Sequence, residues 1–333
     1  MVINILPNSN FIHEYGKHTM EKFEFENGET LENVDVEFLI KGTAKYDDCG
    51  NITNLVVFCH GYEGNCLSLN QLHQFTSEGM PLDFGKYLIV SIDSLGFPNS
   101  CCPSSTGLGQ NFPEYDFKDK VNFKKQFIKE KLGNDNVLGV LGVGMGGYEV
   151  YTWACEYPDD MKFIIVGASS YKTAGYRYVM VKGIKSIIEN NANFNSECYD
   201  ESFSNTMISV YQVIFSMYFS QKIFHEMSND EIDIFMDQFV EKSYSIDIHD
   251  FKFQYDAILD FNVEDKLTNI KSDVLVFIPE NNFYFSSKGD VENLNNLIKN
   301  CQIEVLDFKR NKFDEMDFNY VMSTIDTFLK KFE

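Results

Sequence analysis

A run of glycines between a strand-like and a helix-like segment places the strictest limit on the fold of this chain. The segment Leu138–Tyr148 has the sequence LGVLGVGMGGY, in which an apolar run, Val137–Gly142, passes into a helical pattern within a few residues. In so tight a turn, a Cβ on either flanking residue would collide with the neighbouring strand or helix, and Gly142 and Gly146 occupy those positions. The pattern therefore predicts a buried strand, a sharp turn and a helix in immediate succession.

Apolar runs of strand length recur along the chain and alternate with amphipathic helical stretches such as Phe117–Lys131 and Tyr148–Glu156. Such runs are typical of parallel strands that are buried on both faces of a sheet. We therefore predict an α/β fold in which a mostly parallel central sheet is flanked by helices. The predicted strands are Leu55–Cys59, Tyr87–Asp93, Val137–Gly142, Phe163–Gly167, Val274–Ile278 and Ile303–Leu306.

The two ends of the chain carry different patterns. Near the N-terminus, Phe23–Glu26 and Val34–Lys41 alternate with period two around Asn27-Gly28, which predicts an antiparallel hairpin at the edge of the sheet. At the other end, the spacing of apolar residues predicts a terminal helix near Met316–Phe332.

A long segment in the second half of the chain lacks strand patterns. After Ser170 they are absent for about a hundred residues, and Phe, Tyr and Met recur at helical spacing instead. We therefore predict a core domain made of residues 1–170 and 262–333, with residues 171–261 inserted as a helical cap.

Charge and cysteine content exclude several classes of protein. Asp and Glu number 50 against 28 Lys and Arg, which gives a net charge of −22 and argues against nucleic-acid binding. The eight cysteines form no CxxC pair, so no metal site is predicted and the thiols are expected to be reduced. The N-terminal residues lack a leader pattern, and no apolar segment approaches the roughly 20 residues that span a bilayer. We expect a cytoplasmic protein that does not cross a membrane.

The glycine turn admits three interpretations. Gly142 and Gly146 match the flanks of a G-x-S-x-G nucleophile elbow, but Gly144 stands where the nucleophilic Ser would be. Gly142, Gly144 and Gly147 also fit the G-x-G-x-x-G pattern of a dinucleotide-binding turn. That pattern normally follows the first strand of its domain and precedes an acidic residue about 20 positions later, and neither condition is met here. A simple packing turn remains an alternative to both.

The order of several motifs resembles the homoserine O-acetyltransferase family of the α/β-hydrolase fold. The resemblance is strong over Leu55–Ser170 and weaker from Val274 to the C-terminus. The matching motifs are a strand with its oxyanion loop, the next strand with its turn, a loop near the active site, and the glycine elbow with its helix. They occur at Val56–Gly64, Tyr87–Gly96, Pro103–Gly107, Phe112-Pro113, Asp116–Asp119, Gly144–Gly147, Trp153-Ala154 and Tyr157–Asp159.

The resemblance implies a catalytic Ser, His and Asp, and the matching positions of this sequence carry none of the three. The nucleophile position is Gly144, the acid position aligns with Asn282, and the base position aligns with Arg310. Glu280 could supply the acid only if its loop shifts. The six histidines, at positions 13, 18, 60, 73, 225 and 249, all precede the segment that should carry the base, and Arg stays protonated.

Other residues near these motifs are candidates for a binding pocket. The resemblance implies an oxyanion hole formed by the backbone amides of Tyr62 and Met145. His60 and the pair His249-Asp250 are candidates for proton transfer, with ordinary structural hydrogen bonding as the alternative. Further candidates, for which a plain loop or surface position is the alternative, are Cys102, Ser104, Lys172 and Arg177.

These observations favour a protein that is related to such acyltransferases, lacks their triad and acts by binding an unknown small molecule or protein. The alternative is an acyltransferase or hydrolase in which the Cys102 thiol or a bound water attacks a carbonyl held by the retained amides. No cofactor is expected, except acetyl-CoA if this alternative holds. The resemblance also implies a homodimer formed through cap helices, for which the apolar rows are Met207-Ile208, Tyr211, Ile214-Phe215 and Tyr218-Phe219.

Overall fold

A mostly parallel sheet of eight strands organises the computed structural model, which describes residues 10–194, 201–219, 221–280, 288–306 and 315–333. The strands are β1 Phe11–Glu24, β2 Thr30–Thr43, β3 Leu55–Cys59, β4 Leu88–Ile92, β5 Gly139–Val143, β6 Phe163–Gly167, β7 Asp273–Pro279 and β8 Cys301–Leu306. Their order across the sheet is β1-β2-β4-β3-β5-β6-β7-β8. The pairs β1–β2 and β2–β4 are antiparallel and all the others are parallel, which confirms the predicted α/β sheet.

The predicted edge hairpin is confirmed, and its strands are longer than the sequence pattern indicated. β1 and β2 pair from Phe11 opposite Thr43 to Glu24 opposite Thr30. Gly28 adopts a φ of 87° in the connecting turn, a left-handed conformation that favours glycine. Most of β1, from Phe11 to Lys22, escaped prediction because this edge strand buries few side chains and therefore lacks a clear apolar alternation.

Helices cover both faces of the sheet. They are α1 His73–Thr76, α2 Pro103–Thr106, α3 Phe117–Leu132, α4 Met145–Glu156, α5 Tyr176–Glu189, α6 Glu201–Tyr218, α7 Gln221–His225, α8 Asn229–Val240, α9 Ile248–Leu259, α10 Lys288–Leu297 and α11 Glu315–Leu329. Short 3₁₀ segments occur at Cys66–Leu72, Gly109–Asn111, Glu241–Ser245, Glu264–Asn269 and Lys330–Phe332. Within the described ranges, no helix combines the length and the apolar character needed to cross a membrane.

Two apolar cores lie on opposite faces of the sheet. The larger contains α3, α4 and much of the α5–α9 region, with Val57, Val140 and Tyr151 among its buried members. The smaller lies under the 3₁₀ segment Cys66–Leu72 and α11. Because successive residues of a strand point to opposite faces, the near-continuous apolar runs seen in the sequence are what a sheet covered on both sides requires.

Helices α5–α9 fill the chain between β6 and β7, where the sequence predicted a helical cap. Their apolar side chains join the larger core, so this region packs down onto the helices of the sheet. Aromatic rings supply much of the contact inside it, including the edge-to-face pair Phe215–Phe235 with ring centroids 5.2 Å apart. The boundaries 171–261 remain a prediction, because the shared core gives no separate domain border.

Three residues of the apolar rows predicted for a dimer seam are buried within the single chain. Met207, Tyr211 and Phe215 are 1%, 1% and 3% exposed within the single chain. They pack into the chain's own core, whereas Ile208, Ile214 and Phe219 of the same rows are only partly buried. The side chain of Tyr218 lies outside the described residues. A homodimer formed through cap helices remains a prediction.

Candidate functional site at the glycine elbow

The glycines between β5 and α4 are required by close backbone approaches. A Cβ on Gly142 would lie 2.5 Å from the carbonyl oxygen of Gly146. A Cβ on Gly146 would lie 2.7 Å from the carbonyl oxygen of His60 and closer still to that of Cys59. Gly147 approaches Ser169 equally closely. Steric contact with β3, α4 and the loop after β6 therefore explains these three glycines without a bound phosphate.

Gly144 occupies the apex of the turn in a conformation that is strained for any residue with a side chain. Its φ of 58° and ψ of −119° lie in a region that side-chain-bearing residues rarely adopt, and functional sites are where such strain collects. Its amide donates to the carbonyl of Gly167, 2.9 Å away, which fixes the turn against the neighbouring strand β6. The strand, strained apex and helix form the geometry of a nucleophile elbow, with glycine at the apex.

A cavity of about 520 Å³ lies over Gly144. Its walls come from the loop after β3, the start of α4 and the helices α5, α6 and α9. Most of the lining is apolar or aromatic, including Tyr62, Met145, Met180, Tyr211 and Ile258. A cavity of this size and character fits a small organic ligand.

The two amides predicted as an oxyanion hole belong to residues that both line this cavity. Met145 is the first residue of α4, so its N–H has no intrahelical acceptor and the positive end of the helix dipole points the same way. Tyr62 follows β3 and lines the same cavity as Gly144. The ring of Tyr62 packs edge to face with Tyr255, with centroids 5.8 Å apart, which holds this loop against α9.

His60 is a structural residue rather than a base facing the cavity. Its side chain is fully buried, its Nε2 accepts the Ser94 amide hydrogen at 3.1 Å, and its Nδ1 lies 3.0 Å from the Gly61 carbonyl oxygen. Burial, assisted by the charge of Lys124, lowers the pKa of His60 to about 4. The imidazole is therefore neutral at physiological pH, with Nδ1 as the donor, and it fixes the loop after β4 to the end of β3.

A buried ionic cluster beneath the elbow escaped the sequence analysis. Glu149 of α4 accepts a 2.7 Å hydrogen bond from Ser94 Oγ and lies 3.2 Å from Lys124 Nζ. Burial opposes ionisation of Glu149, but Lys124 and Lys120 outweigh it and hold the pKa of that carboxyl below its usual range. Lys124 also donates to the Ile92 carbonyl at 2.9 Å, and Lys120 donates to that of Leu95.

The ionic cluster was detectable in principle. Lys120 and Lys124 fall on the same helical stripe as Phe117 and Phe127, which marks them as facing the core. The cluster ties α3 and α4 to the end of β4, and it therefore positions the elbow helix.

Cys102 and Ser104 serve the packing of α9 and do not line the Gly144 cavity, which corrects the idea of Cys102 as a replacement nucleophile. The Cys102 sulfur caps α2 by accepting from the Ser105 amide at 3.3 Å. Asp250 accepts from the Ser104 amide at 2.8 Å and from its hydroxyl at 2.5 Å. Burial, followed by the charge of Asp250, raises the pKa of the Cys102 thiol, so the reactive thiolate is suppressed.

The other proton-transfer and anion-binding candidates have structural partners. His249 Nδ1 lies 3.6 Å from Asp247, and the Asp250 carboxylate accepts from Ser104, which favours the structural alternative for the candidate pair His249-Asp250. Lys172 Nζ lies 2.6 Å from Glu264, and the buried Arg177 donates to the Lys172 carbonyl. Neither Lys172 nor Arg177 lines the Gly144 cavity.

The remaining candidates concern the predicted acid and base. Asn282 and Arg310 lie outside the described residues, so their positions relative to Gly144 stay predictions. Glu280, the last described residue after β7, is exposed in a turn.

The chain belongs to the α/β-hydrolase fold family. The model of that family, alpha/beta hydrolase fold, matches residues 54–309. Among solved structures, an acetylester hydrolase from Corynebacterium glutamicum superposes with a TM-score of 0.82 at 17% identity, and the match covers 95% of this chain and 96% of the other. The architecture predicted from the strand pattern is thereby confirmed.

Among its relatives, the chain is similar to a protein of Methanothermobacter thermautotrophicus named "Probable acyltransferase". The two are 31% identical over 288 residues, which cover 86% of this chain and 89% of the relative. It is also similar to the homoserine O-acetyltransferase of Corynebacterium glutamicum, with 26% identity over 186 residues, or 54% of this chain and 49% of that enzyme. The resemblance to homoserine O-acetyltransferases, predicted from the ordered motifs, is confirmed.

Proposed function

We propose that this protein binds a small acyl-bearing molecule in the cavity over Gly144 and does not turn it over by serine chemistry. The observation that carries the proposal is the apex of the elbow. Gly144 has the backbone conformation of a nucleophile position and lines the cavity, but it has no side chain to attack a carbonyl.

The polar groups around the cavity support a binding role. Its described lining contains no His, Cys, Lys, Arg or Asp side chain. The one carboxylate there, Glu63, forms an ion pair with Lys242 at 2.7 Å, and Ser68 Oγ accepts from the Asn65 amide at 3.1 Å. A general base must lie within hydrogen-bond reach of the group it deprotonates, and Glu63 and Ser68 already have partners. Burial raises the pKa of the lining tyrosines Tyr148 and Tyr211, which keeps their hydroxyls protonated.

The ligand class follows from what the cavity offers. Apolar and aromatic walls favour a hydrocarbon or acyl chain, whereas the amides of Tyr62 and Met145 suit a carbonyl or carboxylate oxygen. Esters and thioesters of short acids combine both features. This class is also consistent with relatives that are named as acyltransferases.

Acyl transfer or hydrolysis through other groups is the competing function, and the 31% identity to a "Probable acyltransferase" is the observation that favours it. A water molecule held near the amides would then have to attack, with a base supplied from outside the described lining.

The deciding experiment measures thiol release from acetyl-CoA, with and without homoserine or serine, and hydrolysis of p-nitrophenyl acetate, each against a protein-free blank. Thermal unfolding with the same probes reports binding, since a ligand that binds only the folded state raises its stability. We expect stabilisation without consumption of the probe. Turnover above the blank would refute the binding role, and the absence of stabilisation by either probe would refute the ligand class.

A matched pair of variants locates the binding. Met180 is 6% exposed and lines the cavity, whereas its neighbour Val179 on the same helix is 65% exposed. Met180→Trp should fill the cavity and abolish the stabilisation by probe, while Val179→Trp should retain it. Equal loss in both variants would place the binding elsewhere.

A further inference from the structure

Two carboxylates face each other across the antiparallel pair β2–β4, away from the Gly144 cavity. The Asp93 amide donates to the Glu37 carbonyl at 2.9 Å, which continues the register that pairs Phe38 with Ile92. Like charges directly opposite on a sheet repel one another, so this placement has a cost unless something between them offsets it.

The Cys66 thiol completes the group. One donor atom from each of Glu37, Cys66 and Asp93 lies within 4.8 Å of the other two. Cys66 and Asp93 are fully buried, and the Cys66 amide donates to Asp93 Oδ1, which locks the first residue of the 3₁₀ segment Cys66–Leu72 over the end of β4. Three potential ligands therefore come from three separate elements of the fold.

The charge of Lys124 reaches Asp93 only from beyond ion-pair distance. Among the described residues, no lysine or arginine forms an ion pair with Glu37 or Asp93. His60 Nε2 lies 3.9 Å from Asp93 Oδ1, but it accepts the Ser94 amide hydrogen and therefore carries no proton there.

Two buried oxygens on the same face of β4 lack hydrogen-bond partners. Asp93 Oδ2 is one, and the hydroxyl of Ser91, two residues earlier on the strand, is the other. Burying polar atoms without partners costs free energy, and such atoms in a folded protein call for an unseen partner. The unpartnered oxygens are therefore evidence for a bound ligand in addition to the facing carboxylates.

From this placement we infer that Glu37, Cys66 and Asp93 bind a divalent cation of the zinc class. A thiolate ligand selects Zn²⁺ and related ions over Mg²⁺ or Ca²⁺. On binding, the Cys66 thiol releases its proton to solvent and the sulfur becomes a ligand beside one oxygen of each carboxylate. Donor atoms around tetrahedral zinc lie about 3.5 Å apart, so side-chain rotations that shorten the present distances by about 1 Å complete the site.

An outer partner and an entry path are also present. Tyr15 donates a 2.9 Å hydrogen bond to Glu37 Oε2, the kind of contact that orients a metal ligand. Asp93 also lines a second cavity of about 520 Å³, which adjoins the first through Tyr62 and Glu63. Through this cavity an ion can reach the buried carboxylate, and a water molecule can occupy the fourth coordination position.

The test uses purified protein treated with a chelator and then titrated with Co²⁺ or Zn²⁺. Cobalt bound to a thiolate gives a charge-transfer absorption in the near ultraviolet, so we expect this band to saturate at one equivalent and to disappear when Zn²⁺ displaces Co²⁺. Zn²⁺ should raise the thermal stability, and Mg²⁺ at the same concentration should not. A missing band, or one that Mg²⁺ removes as readily as Zn²⁺, would overturn the inference.

Variants separate this site from other thiols. Cys66→Ser should abolish the band, whereas Cys155→Ser, which alters another buried thiol, and Cys49→Ser, which removes an exposed one, should leave it intact. Tyr15→Phe keeps every ligand and should weaken Zn²⁺ binding about tenfold. Because Glu37 is only half-buried, Glu37→Gln should fold even if Cys66→Ser does not, and it should weaken binding more than Tyr15→Phe. A band that persists in Cys66→Ser, or unchanged affinity in Glu37→Gln, would contradict the assignment.

Discussion

Replacing Gly146 with alanine is the sharpest test of the elbow, because the structure fixes both the sign and the size of the effect. The new Cβ would lie 2.7 Å from the carbonyl oxygen of His60 and nearer to that of Cys59. Both neighbours are backbone atoms at the end of β3 in the middle of the sheet, so neither can rotate away. Overpacking of this kind costs about 1–3 kcal/mol and occasionally more. Alanine recovers about 0.5–1 kcal/mol of helix propensity.

Since rigid backbone lies on the far side of the contact, we expect the overpacking cost of Gly146→Ala to lie at the upper end of that range. After the gain in helix propensity, the net loss in the free energy of unfolding is about 2–2.5 kcal/mol. Urea denaturation followed by circular dichroism measures this loss as a lower midpoint at unchanged slope. The control is Gly183→Ala in the middle of α5, where no heavy atom lies within 4 Å of the new Cβ. This variant should gain about 0.5–1 kcal/mol. If Gly146→Ala were as stable as the parent protein, the steric account of the elbow would be wrong.

Three further predictions concern the elbow, the ionic cluster and the cap. Gly144→Ser should lower the free energy of unfolding by about 1–3 kcal/mol, because serine is strained in this backbone conformation. It should leave p-nitrophenyl acetate hydrolysis at the blank rate, since a hydroxyl without a base is inert. Hydrolysis above the blank would reveal a base beyond the described lining. Burial lowers the pKa of Lys120 to about 7, against 10.5 when unfolded, so the unfolded state binds more protons between these values. The free energy of unfolding should therefore rise with pH in this window, by at most about 1.4 kcal/mol per pH unit. Denaturation curves of Lys120→Met measured over the same pH range should show a smaller rise. An equal rise in the variant and the parent protein would argue against the lowered pKa of Lys120. Asp250→Asn weakens the acceptor of two hydrogen bonds from Ser104 and should lower the free energy of unfolding by about 1–3 kcal/mol, as measured by urea denaturation. An unchanged free energy of unfolding would show that these bonds do not hold α9.

The sheet was the most predictable part of the fold. Leu55–Cys59 and Phe163–Gly167 match β3 and β6 residue for residue, because strands buried on both faces have unbroken apolar runs with clear ends. The glycine elbow was equally predictable, because positions without room for a Cβ must be glycine and are visible as such in the sequence. Helix α4 begins at Met145, three residues before the predicted start, because periodicity needs a full turn before it becomes visible.

What escaped prediction depends on contacts between distant segments. Periodicity marks a residue as apolar-facing without showing what packs against it. Met207, Tyr211 and Phe215, three residues of the rows predicted for a dimer, pack into the interior of the chain itself. The partners of Cys102 and the grouping of Glu37 with Asp93 depend on strand order and helix docking. Spacing along the chain carries neither kind of information.

The pairing of β6 with β7 also governs how the protein can be synthesised. These adjacent strands align Phe163 with Asp273, so about a hundred residues of cap separate two partners in the sheet. At translation rates of about 5–20 residues per second, β6 waits roughly 5–20 s on the ribosome before its partner is made. During that interval its open, apolar edge can pair with another nascent chain. Cellular yield should therefore depend on how quickly the cap is translated and on chaperones that shield this edge.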